Sequence, residues 1–210
     1  AQKNYEPAPV TTAPNTGKVI LDTFADLQIL QYELPGWDKL NLRQKTFIYY
    51  LSEASLAGRD IIYDQHCKHN LAVRKTLEGI YTAYKGDKNS ADWKAFEVYA
   101  KRVWFSNGIH HHYNEGKILP GFSAAYFATL VQGSDAKALP MPPAQLLSTL
   151  TPIIFDPKFL AKRTNKEKGV DVVKESAVNF YEGVTVAEVD AFYEKKLKEA
   201  GAKPPMFGLN

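Results

Sequence analysis

A single cysteine, Cys67, stands among 210 residues, so no internal disulfide can form and the redox compartment is left open. No apolar run approaches the roughly 18–20 residues that a membrane helix requires. Neither sign of charge dominates: 26 Lys and Arg face 23 Asp and Glu, a net charge of +3. A basic block of the kind that tracks a phosphate backbone is missing, which disfavours nucleic acid as a partner. Strand-like alternation of apolar and polar residues is nearly absent, and there is no internal repeat. The zinc-protease helix signature His-Glu-x-x-His does not occur, and neither do the Gly-x-Ser-x-Gly elbow, the phosphate loop or the dinucleotide fingerprint.

What the chain does have is the composition of an ordinary globular protein, 45% hydrophobic and 23% charged. Its length is enough to bury a real core. Residues 1–17 are rich in Pro, Thr and Asn and read as a flexible leader. The start at Ala1-Gln2 fits either a mature end after signal-peptide removal or a chain trimmed at that point. The first reading makes the protein periplasmic or exported; cytoplasmic is the alternative.

The folded region, 18–210, reads as mainly α with little sheet. Val19, Leu21, Phe24, Leu27, Ile29 and Leu30 are a mixed apolar set, followed by a break at Tyr32–Gly36. Asn41 with Gln44 makes a capping box. Phe47, Tyr50, Leu51, Ala54 and Ile61 then follow at helical spacing, which predicts one amphipathic helix of about twenty residues. Asn70 is the expected cap of a helix facing inward through Val73, Leu77, Ile80 and Tyr84. Asn89 or Ser90 opens the next, whose inward residues Trp93, Phe96, Ala100, Val103 and Trp104 give it the weight of a central core helix. Shorter helices are expected after Ser123 and from Pro142-Pro143, an irregular stretch over 151–169, and a last helix behind the capping box Thr185/Glu188 with Val189, Phe192, Tyr193 and Leu197 on its apolar face. Six or seven helices result.

The chain is organised around Trp104–Gly121, where helical periodicity runs in and is lost. Ser106-Asn107-Gly108 is C-cap chemistry. His110, His111, His112 and Tyr113 then sit in a loop closed by Pro120-Gly121, and loops on rigid scaffolds concentrate binding residues. Adjacent residues of an extended loop alternate in direction, so at most two of the three histidines converge on one side, too few for a zinc site made by the loop alone. The histidines either cap carbonyls of the preceding helix or, the preferred reading, wall a substrate cleft. Cys67 has His66 and His69 beside it in sequence, but a free cysteine is most often a small buried hydrophobe.

From Phe96 through Tyr113, followed by Lys117-Ile118-Leu119-Pro120, the sequence resembles the N-terminal part of bacterial dipeptidyl peptidase III, a family of zinc metallopeptidases. Phe24–Leu30, Tyr84–Lys88 and Asn179–Thr185 match the same family, and the resemblance runs from about Phe24 to Asn210. It implies a two-lobed aminopeptidase that removes dipeptides from the N-termini of short peptides. The family's zinc is held in the upper lobe by His-Glu-x-x-Gly-His and by a Glu of a later Glu-Glu-x-Arg/Lys-Ala-Asp motif. Neither motif occurs here.

The resemblance therefore makes this chain the helical part of the lower lobe, with no zinc ligands and no catalytic residues of its own. Its expected partners are a peptide substrate and the C-terminal catalytic lobe. Tyr113, counted back from Pro120, falls where the family places an aromatic lining the peptide cleft. Asn107, His110, His111 and His112 belong to the same loop and are carried with it as candidate substrate-binding residues. A non-catalytic helical module that binds peptide or protein is the other class of function.

Overall fold

The computed structural model describes residues 19–201. The leader at 1–17 and the apolar stretch 206–210 lie outside the described residues. The architecture is mainly α: seven α-helices and one two-stranded sheet stand among the described residues. None of these helices is long and apolar enough to cross a membrane. Where the sequence reads one region, the chain divides into two compact units, one ending at Lys45 and one beginning at Thr46.

The first unit holds a feature that the sequence reading does not foresee. Strands β1 (Ile20–Phe24) and β2 (Leu27–Leu30) form an antiparallel hairpin. Ile20 pairs with Leu30 but Asp22 with Ile29, so Leu21 is extra and the register slips. Such a bulge breaks the period of two that would have announced a strand. The turn offers no signal either, since Ala25 takes φ +50° where Gly or Asn is usual. After a short 3-10 turn at Trp37–Lys39, the expected capping box forms in both directions. Gln44 N–H donates to Asn41 Oδ1 and Asn41 N–H to Gln44 Oε1, each at 3.0 Å.

The predicted twenty-residue helix is instead two, α1 (Leu42–Ala57) and α2 (Arg59–His66), with Gly58 between them. Its apolar residues are also not inward: Phe47 is 64% exposed and Ile61 60%. No residue of α1 is buried, and Leu42, Phe47, Ile48, Tyr50, Leu51 and Leu56 are spread around its whole circumference.

The core of the second unit lies between α3 (Asn70–Ala83), α4 (Ala91–Ser106), α5 (Ala124–Gln132) and α6 (Pro143–Phe155). The apolar faces read from spacing are the faces that pack. Val73, Leu77 and Ile80 of α3, Phe96, Ala100 and Val103 of α4, and Leu146 and Leu150 of α6 are fully buried. Each of these side chains except that of Ala100 contributes about 1.5–3 kcal/mol of transfer free energy. Aromatic edges link the elements. Trp93 stacks on Tyr84 at 5.3 Å, Phe96 and Tyr99 both meet Phe122 at 5.8 Å, and Phe122 meets Phe155 at 5.7 Å. Ser90 and Ser123 cap α4 and α5 as expected.

Other expectations change. Asn70 does not cap α3; His69 holds that position and Asn70 lies in the core. The stretch 151–169 is helical as far as Phe155 and irregular only beyond it. The last helix, α7 (Val186–Glu199), carries its predicted capping box, yet Phe192 is 56% exposed and no α7 residue is buried.

Gly79 sets the closest approach in this core. A Cβ there would stand 2.3 Å from the carbonyl oxygen of Ala138. Alanine gains about 0.5–1 kcal/mol of helix propensity over glycine, but a clash with backbone cannot relax by rotating a side chain. Gly79→Ala should therefore lower the urea midpoint, with a net loss of about 1–3 kcal/mol. An unchanged or raised midpoint would show that α3 does not pack against 136–138.

Candidate functional site

The histidine loop starts from a helix end of known type. Asn107 adopts φ 52°, ψ 43°, and Gly108 φ 146°. Gly108 N–H reaches Val103 O at 3.0 Å and Asn107 N–H reaches Trp104 O at 3.4 Å, the paired bonds of a Schellman motif. Glycine at 108 is required twice over. Its φ is one L side chains avoid, and a Cβ would come within 2.2 Å of Asn70 Nδ2.

Asn70 is why the chain runs so close. It is fully buried, donates from Nδ2 to Tyr63 O at 3.1 Å and accepts at Oδ1 from Ile109 N–H at 3.1 Å. Three segments, the end of α2, the start of α3 and the start of the loop, thus share one side chain. Ile109 enters the core and His110 follows it, 2% exposed.

The loop then folds back on itself. Ile118 N–H bonds to Ile109 O at 2.8 Å and His111 N–H to Gly116 O at 2.8 Å. A further extended segment runs alongside: Lys117 N–H donates to Ala161 O and Arg163 N–H to Glu115 O, both at 2.9 Å. The region read as merely irregular is therefore the outer rail of the loop. Two cations fasten it. Arg163 Nη2 pairs with Glu115 Oε1 at 2.8 Å, and that partner holds the Glu115 carboxyl below its usual range. Lys117 Nζ donates to Ile153 O at 2.9 Å, to Asp156 O at 2.7 Å and to Phe159 O. These carbonyls lie at and just past the end of α6, where a cation is favoured. Burial lowers the Lys117 pKa, yet three carbonyl acceptors suit the charged form.

The candidate residues do not share one surface. Tyr113, at the tip, is 86% exposed. His112 is also exposed and packs edge-on to Phe105, 4.9 Å between centroids. His111 stacks on His112 at 4.4 Å, and its Nδ1 accepts from Tyr113 N–H at 3.1 Å and Asn114 N–H at 3.3 Å, which holds the turn. Asn107 is half-buried, and its carbonyl meets His66 Nδ1 at 3.2 Å. His110 is the correction to a cleft wall of three histidines. Its Nε2 meets Leu160 O at 2.8 Å, so it is an internal strut. The carbonyl of the C-cap residue Asn107 is met by His66, from outside the loop.

Sequence spacing pointed to the loop but not to its supports Asn70, Lys117, Arg163 and His66. Tertiary partners leave no local signal. The bland reading of Cys67 holds: it is fully buried in the core, and burial raises its thiol pKa. Among the described residues no group of three or more His, Cys, Asp and Glu could hold a metal ion. No protein-family model matches the chain, and no curated protein matches it.

Burial lowers the His110 pKa from 6.5 to about 4, with Lys117, Arg163 and His66 acting in the same direction. The folded state therefore binds its proton later than the unfolded chain. Stability from this group is complete above pH about 6.5, falls as pH drops toward 4, and changes no further below that. The loss amounts to about 3 kcal/mol at 1.36 kcal/mol per unit. His110→Gln, whose amide can still donate to Leu160 O, should flatten the urea midpoint between pH 7 and 4 relative to the parent chain. His66 and His69 are also lowered by burial and leave a residual slope. Equal slopes in parent and variant would mean that His110 is not held neutral.

Proposed function

We propose that this chain forms part of the peptide-binding cleft of a zinc-dependent dipeptidyl peptidase, acting on the N-termini of short peptides together with a separate catalytic lobe. The observation that carries this reading is Tyr113: an aromatic ring 86% exposed, at the tip of a loop whose base is fixed by buried hydrogen bonds. A large, rigidly presented aromatic gives contact area at low entropic cost. Tyr113 coincides with the cleft position that the sequence resemblance implies. Helix α1 supports the second half of the reading. Large apolar side chains on every side of α1, interleaved with polar ones, are surface that a further protein element can cover, and here they are exposed.

Zinc belongs to the proposed complete enzyme, and no group of metal-ligating residues stands among the described residues. His110 is buried with Nε2 on Leu160 O, and His111 Nδ1 is engaged by the turn amides. This chain's share is binding: an aromatic surface for the peptide, and His111 and His112 beside it as hydrogen-bonding and stacking groups. No proton transfer or water activation is assigned to it.

Tyr113→Ala should weaken binding of a tetrapeptide with a free N-terminus by about 1–3 kcal/mol, followed by chemical-shift titration of the 210-residue chain. Its thermal stability should stay within about 0.5 kcal/mol, because the ring packs on nothing buried. A large loss of stability with unchanged peptide affinity would overturn the assignment. The same chain, dialysed against zinc-free buffer, should retain no stoichiometric zinc and release no dipeptides by itself; one tightly held zinc per chain would refute the division of labour between lobes.

A further inference from the structure

The turn that carries Tyr113 is held by a nitrogen lone pair. His111 Nδ1 accepts from Tyr113 N–H at 3.1 Å and from Asn114 N–H at 3.3 Å. A side-chain acceptor that takes the amides two and three residues on is the pattern of an Asx turn. The same pattern recurs at Asp171, whose Oδ1 accepts from Val173 N–H and Lys174 N–H, both at 3.0 Å. At 111 an imidazole nitrogen stands where a carboxylate or amide oxygen is usual. Nδ1 accepts only while it carries no proton, so the ring proton of neutral His111 is on Nε2. A second proton has one place to go, Nδ1, where it meets two N–H groups. The imidazolium that results has no acceptor left for either.

The stacking contact acts in the same sense. His112 lies 4.4 Å from His111 with 29° between the ring planes, so charging both rings sets like charges face to face. The charged groups of the loop and of the segment beside it have partners of their own. Glu115 pairs with Arg163, Lys162 with Glu167, and Lys117 lies on the carbonyls after α6. Helix α4 brings Lys101 and Arg102 within a turn of Phe105, and α2 ends at His66, on Asn107 O. Burial lowers the His66 pKa and takes that of His110 to about 4. At Asp171 the amide donors, Lys174 N–H first, hold the carboxyl below its usual range, so that turn keeps its acceptor where histidines titrate.

We propose that His111 is the positioning residue for Tyr113 and holds it only while its imidazole is neutral, so that the loop tip opens as His111 is protonated and peptide binding weakens with it. The effect on peptide rests on the reading of Tyr113 given above; the hold on the turn does not.

The isotope-labelled 210-residue chain should be followed from pH about 8 to about 5, the range in which histidines change charge. Ring-nitrogen shifts at the upper end should show Nε2 protonated and Nδ1 bare in His111. The Tyr113 and Asn114 amides should then move along the titration curve of His111, while those of Val173 and Lys174 stay in place. His111→Asn keeps an oxygen that can accept the same amides and takes up no proton in this range. Its Tyr113 and Asn114 amides should be insensitive to pH. A tetrapeptide with a free N-terminus should bind the parent chain about threefold to tenfold more weakly at the lower pH, as for loss of one or two neutral hydrogen bonds. That change is read relative to His111→Asn, which shares any titration of the peptide itself. The proposal fails if His111 carries its proton on Nδ1 at the upper pH, or if the two amides do not follow its titration. It fails equally if His111→Asn leaves their pH response intact, which would assign the response to His112. If Tyr113→Ala weakens binding while the affinity of the parent chain ignores His111, the link to peptide is overturned. If the amides follow His111 and Tyr113→Ala binds peptide as well as the parent chain, the hold on the turn stands and Tyr113 is not the peptide contact.

Discussion

The Asn70 carboxamide, sunk in the core with one donor on Tyr63 O and its acceptor on Ile109 N–H, constrains most of what surrounds it. Both partners are backbone groups with no route to water, so each bond must be made or a desolvation penalty accepted. Meeting both brings the end of α2, the start of α3 and the exit of α4 to one point. The exit then has a single course. Position 108 must lie against the carboxamide with no Cβ, and Asn107 must turn left-handed to bring it there. From that turn the chain enters the core at Ile109, and the side chains that follow divide between inside and outside. Burial of His110 and exposure of Tyr113 are consequences of where Asn70 sits.

A loop anchored at one end still swings. Here the other end is held by different physics. Lys117 gathers three carbonyls from the end of α6 and the residues after it, and Arg163 pairs with Glu115 across the outer rail. Both contacts are only partly shielded from solvent, and the ion pair is worth little on its own. Together with the backbone ladder they leave the 112–114 tip exposed between its two anchors. Preorganisation of this kind lowers the entropic cost of a contact made at the tip. Burial is the main cause of the depressed pKa of His110, and the nearby Lys117, Arg163 and His66 push it the same way.

Local chemistry was legible in the sequence, and tertiary chemistry was not. Ser90, Ser123 and the Thr185/Glu188 and Asn41/Gln44 boxes act within four residues, so spacing alone identifies them. The Ser106-Asn107-Gly108 exit was legible for the same reason. Asn70 shows where that logic stops. An Asn at a helix start is a cap by local rules, and only a partner 39 residues away, Ile109, makes it a strut. The hairpin at 20–30 was lost because the extra Leu21 destroys alternation and Ala25 occupies a turn position that announces nothing. The division among the three histidines was equally hidden, because irregular backbone has no period from which to read a face.

Apolar periodicity misled in one instructive case. In α3 and α4 an apolar stripe meant burial, because other helices of the same unit lie against it. In α1 the same residue types surround the helix and remain in solvent. Spacing reports that a face is apolar, not what covers it. The contrast bears on function. The core of α3 to α6 is closed on itself and supports the loop, so the presentation of Tyr113 does not require α1. The unpartnered surface of α1 is therefore surplus to the chain's own packing. In the proposed two-lobed enzyme it has a use separate from the cleft, as apolar surface against which further protein can be seated. Under that proposal, binding peptide and joining the catalytic lobe would fall to different elements.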